Sequence, residues 1–294
     1  MDNYIKAKLL EAEHHGKKNW LLAEEILQEL IAEYPDTFKA YEMLYYIYMK
    51  HRLFKKAEKI IAKGLLEFPD DSQLNFLMGN VYLTQKGKAH KALEWYSKIR
   101  IETPEMLFNK SVALVYLDRR KEAVTYFKEI MPYFNNLVST YTFLAEQYVA
   151  LKEWDNAISV LISAEKNFPL NKEVALLLAK CYDNKRNWIQ AFIYFDKAAR
   201  LGCDSAEFYN DFAHCCYNMG DIDKAIGHYK TSIQKNIFFI KSYIDLSKIY
   251  IAEKDFNSAK KYLHIAQKID PLNIYITLAS ERLRRIFNKD EKKK

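Results

Sequence analysis

Residues 138–171 read VSTYTFLAEQYVALKEWDNAISVLISAEKNFPLN. Tyr141, Leu144, Ala145 and Tyr148 recur at i, i+3, i+4 and i+7, the spacing that gathers apolar side chains on one face of an α-helix. A polar turn at Lys152 and Glu153 follows. Trp154, Ala157, Ile158, Leu161 and Ala164 then lay out a second amphipathic helix, closed by Phe168 and Pro169. Proline stops a helix because its ring fixes φ and removes an amide donor. The stretch therefore reads as helix, turn, helix.

The pattern repeats in both directions. Ala157 lines up with Ala23, Ala57, Ala92, Ala123, Ala191, Ala225 and Ala259, whose successive separations are 34, 35, 31, 34, 34, 34 and 34 residues. Gly79, Ala145, Ala179 and Ala213 hold a second small-residue place, where helices that meet at close range leave no room for a larger side chain. Aromatic residues fill the remaining volume: Tyr41, Tyr141, Tyr209 and Tyr243 on first helices, and Trp154, Trp188 and Phe256 at the entry to second helices. The chain of 294 residues holds only seven glycines and six prolines, too few for the many tight turns of a sandwich, barrel or propeller. With 50% hydrophobic and 28% charged residues the composition is globular, not disordered. The fold class is all-α, with antiparallel helix pairs in tandem.

These residues resemble the tetratricopeptide repeat, a 34-residue helix-turn-helix unit with a fixed order of aromatic, leucine, small, aromatic, alanine, apolar, small and proline residues. The stretch quoted above supplies them as Tyr141, Leu144, Ala145, Tyr148, Ala157, Leu161, Ala164 and Pro169. A later one supplies Tyr243, Leu246, Ser247, Tyr250, Ala259, Leu263, Ala266 and Pro271. The resemblance implies a right-handed superhelical solenoid of eight units at about 4–37, 38–71, 72–103, 104–137, 138–171, 172–205, 206–239 and 240–273. Departures carry information. The first unit has Ala7 and Glu11 where an aromatic and a small residue belong, as expected of a terminal unit with one face in water. The turn near Lys86 to His90 gains a residue, and the short interval from Ala92 to Ala123 predicts a shortened junction around Thr103 and Pro104.

After Pro271, Ile276, Ala279, Leu283 and Ile286 or Phe287 form an apolar stripe, with Arg282, Arg285 and Lys289 off it. This reads as a capping helix at about 274–288, leaving 289–294 as a basic tail expected to be disordered. Between Glu281 and Lys294 lie seven basic and three acidic residues, so most of the net charge of +7 belongs to this end. An acidic partner is the contact such an end would make. The rest of the chain is nearly balanced, and no basic stripe suited to nucleic acid runs along it.

Chemistry leaves no mark on the sequence. HExxH, P-loop, GxGxxG and GxSxG patterns are absent, and the glycines are scattered. Asp221 and Asp223 sit before a second helix, where acidic residues cap it and oppose its dipole. Cys181, Cys203, Cys215 and Cys216 have neither disulfide nor zinc spacing and read as small buried residues. No catalytic residue, cofactor or metal is therefore expected. The first residues carry too many charges for a signal peptide, and no apolar run is long enough to span a membrane. A cytoplasmic protein is the expectation.

Function then falls to the first helices, whose residues offset from the packing face line a groove. For the second to fifth units these are Met43, Tyr46 and Met49; Phe76, Leu77, Asn80 and Leu83; Phe108, Asn109, Val112 and Tyr116; and Phe143 and Glu146. This is an apolar trough suited to a partner peptide or helix with apolar anchors. Lys180, Asn210, Asp211, His214, Tyr217 and Lys248 make the later part polar. Some members of the resembling family clamp a C-terminal carboxylate with basic residues and two asparagines. Asn80 and Asn109 match the asparagines, but Phe76, Ser139 and Phe143 stand where the cations belong, so the charge-assisted bonds are lost. The sequence thus points to a non-enzymatic interaction scaffold. A peptide-sensing regulator is the alternative, although no effector module accompanies the repeats. An RNA-reading repeat is disfavoured by the apolar trough.

Overall fold

A computed structural model describes residues 2–291 and divides into two compact units, 1–135 and 136–294. Unit 1 holds α1 (Asp2–Lys18), α2 (Trp20–Glu33), α3 (Phe38–Lys50), α4 (Phe54–Glu67), α5 (Ser72–Leu83), α6 (Ala89–Tyr96), α7 (Pro104–Tyr116), α8 (Arg120–Ile130) and a 3₁₀ turn at Met131–Tyr133. Unit 2 holds α9 (Val138–Ala150), α10 (Trp154–Asn167), α11 (Lys172–Asn184), α12 (Trp188–Arg200), α13 (Ala206–Asn218), α14 (Ile222–Lys235), α15 (Ile240–Ala252), α16 (Phe256–Ile269) and α17 (Ile274–Glu291). No strand occurs among the described residues. The fold class is all-α, of the tandem helix-pair kind found in superhelical repeats. Within each unit an odd-numbered helix packs on the even-numbered helix after it, and that helix packs on the next odd one.

Local sequence sets the boundaries. Asp71, Asn171 and Ser205 accept hydrogen bonds from the N–H groups of Leu74, Val174 and Phe208, which satisfies amides that have no partner within the first turn of a helix. First helices end in a left-handed residue that reverses the chain. The Glu153 N–H then bonds back to the Tyr148 carbonyl at 2.8 Å, and Asn187 to Tyr182 at 2.9 Å. Glycine takes this left-handed place at Gly87 and Gly220, but Arg52, Asp118, Lys152, Arg186 and Lys254 hold it elsewhere, with φ between 57° and 61°. The low glycine count follows directly from that choice.

The eight register alanines are all fully buried, as the close approach of helices requires. Gly79 occupies the tightest crossing. A Cβ there would stand 2.2 Å from the Tyr96 ring, so this place is smaller than its alanine counterparts in unit 2. The shortened interval around Thr103 takes a different form from the one expected. The missing residues come out of α6, which has 8 residues where α4 and α10 have 14. The junction over 97–103 is a run of turn and bend, and Pro104 opens α7 behind the Thr103 cap. The tail expectation also needs correction, because α17 continues to Glu291, past 288. Residues 292–294 of the expected tail lie outside the described residues. Ile276 and Ala279 are the buried part of the α17 stripe and join Tyr243, Leu263 and Ala266 in one cluster.

Candidate functional site

The first helices of unit 1 leave a row of large apolar side chains incompletely covered. Tyr46 on α3 and Tyr116 on α7 are 54% and 67% exposed. Met43, Met49, Leu83 and Val112 on the same set of first helices are half-buried. The Tyr45 and Tyr46 rings meet edge to face at 5.1 Å, which fixes how the Tyr46 ring stands on the helix. Leu77, expected in the trough, is fully buried. It belongs to the core of unit 1 along with Leu74 and Met78.

Four other expected trough residues are committed to internal contacts. Phe108 packs edge to face against Phe127 of α8 at 5.5 Å and Phe134 at 6.3 Å, so it anchors its own repeat. Phe76 lies 6.0 Å from the Tyr96 ring and is half-buried. Asn80 and Asn109 bond to one another: the Asn80 Oδ1 accepts from Asn109 Nδ2 at 2.8 Å and from the Tyr96 hydroxyl at 2.6 Å. Burial first, and the nearby Tyr45 second, hold the Tyr96 phenol well above its ordinary range. The asparagines are thus spent on joining α5, α6 and α7.

In unit 2, Phe143 is half-buried and Glu146 exposed on α9. Partial burial, aided by the charge of Glu173, raises the Glu146 carboxyl above the usual carboxylate range. Farther along, the polar residues pair from one first helix to the next. Lys180 of α11 meets Asp211 of α13 at 3.3 Å, and Lys241 of α15 meets the other Asp211 oxygen at 3.6 Å. His214 of α13 bonds Asp183 of α11 at 3.3 Å, and Lys248 pairs with Asp245 at 2.7 Å within α15. The bond to Asp183 raises the His214 pKa against the opposing effect of burial. Tyr217 is 39% exposed.

Asn210 departs from expectation because it is fully buried, not exposed on a polar groove. Its Nδ2 donates to Ser242 Oγ at 3.1 Å, and Ser242 in turn shares a 2.6 Å bond with Ser232, whose hydroxyl also donates to the Ala206 carbonyl. One such chain ties α13, α14 and α15 together. The Asn210 Oδ1 and the Asp183 Oδ1 are buried without a hydrogen-bond partner.

The recurring geometry is simple. A side chain on one first helix meets the side chain three places nearer the start of the next first helix. Asn80 with Asn109, Lys180 with Asp211 and Asp183 with His214 all obey it. In the sequence these pairs stand one repeat minus three residues apart, a signal that would have exposed the ladder.

Other candidate chemistry has a structural role. Asp221 accepts from the Lys224 N–H at 3.1 Å, pairs with its ammonium at 2.8 Å, and so caps α14. Burial pushes the Cys181 and Cys216 thiols up to about 11 and Cys215 to about 12, which removes thiolate reactivity near neutral pH. Among the described residues no His, Cys, Asp or Glu group is arranged to hold a metal ion. None of their helices is long and apolar enough to cross a membrane.

Comparison with known proteins adds the following. Family profiles described as Tetratricopeptide repeat match residues 144–207 and 240–271. Human tetratricopeptide repeat protein 21B is 24% identical over 281 residues, covering 85% of this chain and 21% of its own length. The chain therefore spans about a fifth of that relative. Among solved structures, MamA superposes with a TM-score of 0.53 at 20% identity, over 55% of this chain and 95% of MamA. The APC/C hetero-tetramer Cut9–Hcn1 gives 0.55 at 17% identity, over 90% of this chain and 52% of that one. YrrB, described as a TPR protein with an unusual peptide-binding site, gives 0.51 at 14% identity, over 75% and 97% of the two chains. At these identities the structural likeness is one of fold.

Proposed function

We propose that this chain, whose repeats match the tetratricopeptide-repeat profiles, is a protein–protein interaction scaffold in which the first-helix face of unit 1 takes a partner segment with apolar anchors. One observation carries the reading. Two large aromatic side chains, Tyr46 and Tyr116, stand more than half exposed among half-buried methionine, leucine and valine, on helices whose other aromatics are packed away. Large apolar side chains left in water carry a free-energy cost that a partner would remove. YrrB is a repeat protein described by its peptide-binding site, and the same use of the fold supports the assignment.

The function is non-enzymatic binding, with an extended peptide or a short amphipathic helix as the occupant. The exposed pair supplies the test. Tyr46→Glu with Tyr116→Glu places charge in the apolar face without touching the core. Affinity capture from native extract should lose its specific partners, while far-UV circular dichroism and the melting temperature stay as in the unsubstituted chain. Undiminished capture would overturn the assignment. Phe76 and Phe108 are unsuitable for this purpose, because their contacts with Tyr96 and Phe127 would make charge there an unfolding change.

A further inference from the structure

At the far end of unit 2 a cavity of about 790 Å³ opens between α16 and α17. Its wall carries Lys260, Lys261 and His264 from α16 and Arg284 from α17, and no carboxylate. Among the described residues no acidic side chain pairs with Lys260, Lys261 or Arg284. Other lysines of unit 2 do have such a partner, Lys180, Lys197, Lys224, Lys235, Lys241 and Lys248 among them, whereas this one wall gathers three cations without one. The floor is apolar: Phe256 and Phe287 meet edge to face at 5.5 Å beside Leu283.

The 34-residue register shows what has changed at this place. One repeat earlier, Lys260 corresponds to Ile226 and Gln267 to Ile233 on α14, while Ser280 corresponds to Leu246 and Arg284 to Tyr250 on α15. All four of those earlier residues belong to, or pack against, the hydrophobic cluster of their repeat. Here the same four positions have become polar or cationic. A helix with an apolar stripe, of the kind that α16 presents to α15, would leave those groups desolvated and unpaired. Water alone would be served by mixed charge, as on the rest of the surface. A cavity with cations on its wall and rings on its floor fits an anion that also carries a bulky apolar group.

We propose that the α16–α17 cavity is a second docking site, and that it takes an acidic segment of a partner protein whose Asp and Glu side chains face Lys260, Lys261 and Arg284 while one aromatic or leucine side chain seats on Phe256 and Leu283. Charge complementarity selects acidity, and the ring-lined floor selects a peptide over a bare polyanion. The site is independent of the unit 1 face in location and in chemistry, so either assignment can fail alone.

Fluorescence anisotropy on the full chain tests it, using a short fluorescein-labelled Asp/Glu peptide with a central Leu-Phe pair. Binding is expected to weaken steeply as salt rises, because the pairs are surface-accessible. Lys260→Glu with Arg284→Glu should reduce affinity about tenfold or more, the scale of losing paired charge at an interface. Lys260→Arg with Arg284→Lys should retain it, as should Tyr46→Glu with Tyr116→Glu. The substituted side chains are exposed, so the fold is expected to survive; circular dichroism verifies this. Unchanged binding after the charge reversal overturns the site. Equal affinity for the same peptide with Gly-Gly in place of Leu-Phe, or for a single-stranded oligonucleotide, overturns its assignment to an apolar-anchored acidic peptide.

Discussion

Unit 1 and unit 2 place side chains on their first helices in the same register, yet the two faces end in opposite states. Where α11, α13 and α15 carry Lys180, Asp211, Lys241, Asp183 and His214, each charge finds an opposite one on the next helix. Where α3 and α7 carry Met43, Tyr46 and Tyr116, nothing in the unit completes the contact. Ion pairs at repeat spacing satisfy one another and need no ligand. Apolar groups at the same spacing cover each other only in part, because adjacent first helices are too far apart for one side chain to bury another fully. The same backbone therefore makes a self-satisfied face in one unit and an unsatisfied one in the other.

The largest expected effect tests the core beneath the unit 1 face. Gly79→Ala drives a Cβ into the Tyr96 ring, and the ring cannot withdraw freely because its hydroxyl is bonded to Asn80. Overpacking of this kind should destabilise unit 1 by about 3 kcal/mol. Repeat arrays unfold in parts, so urea denaturation should show an early transition. Adding Tyr96→Leu should restore much of the loss. An unchanged profile for Gly79→Ala would mean that α5 and α6 are not held in this crossing.

Next in size is the binding contrast. Tyr46→Glu with Tyr116→Glu should weaken partner binding by roughly a hundredfold, since each ring stands to contribute about 1.5 kcal/mol on burial. Charge reversal of Lys180, Asp211 and Lys241 together, which keeps both of their pairs, should leave it unaltered. If the unit 2 exchange were the more damaging, the partner would belong on the polar ladder.

The periodic features were the ones open to reading from sequence. Eight alanines at nearly constant spacing are visible because a helix crossing tolerates nothing larger at any repeat, and all eight are fully buried. Exposure on the first helices was harder to read. Leu77 and Asn210 sit on the flank of their helices, and a single helix's periodicity does not say which flank the neighbouring repeat covers. Phe108 misled for the same reason, as α8 and the segment after it close over its ring. The short interval around α6 pointed to a shortened junction, whereas it is the helix that is short, because spacing alone does not say which of the two has lost residues.

Two histidines of unit 2 should respond oppositely to acid. His214 is raised above its ordinary 6.5 by its bond to Asp183, with Asp245 assisting and burial and Lys241 opposing. Its contribution to stability is complete below that pH and is lost as pH rises through the folded value. His228 is lowered by burial first and by Lys224 second, against Asp221, where it stacks on Phe212 at 4.2 Å. The unfolded chain therefore binds its proton more readily, and stability falls as pH drops through about 6.5. Melting curves between about pH 8 and pH 5 should show His228→Phe losing less stability in acid than the unsubstituted chain, and His214→Asn losing more. Parallel curves for all three proteins would exclude both assignments.

The smallest expected effect asks whether the turns, identical in the two units, are neutral to the comparison. Lys152 and Arg186 hold left-handed φ near 60° without glycine's freedom. Relief of the Cβ contact by glycine favours the folded state by about 1–2 kcal/mol, and the greater entropy of the unfolded chain opposes it by about 0.4–1. Lys152→Gly or Arg186→Gly should therefore stabilise unit 2 by roughly half a kcal/mol. Arg52→Gly should do the same in unit 1, because its turn closes by the same backbone bond, from Leu53 N–H to the Tyr48 carbonyl at 2.8 Å. Equal small gains in urea midpoint at all three sites would show that the turns are interchangeable, and that side-chain chemistry alone separates the two faces. A loss at Arg52 beside gains at Lys152 and Arg186 would show instead that this arginine contributes contacts beyond its backbone.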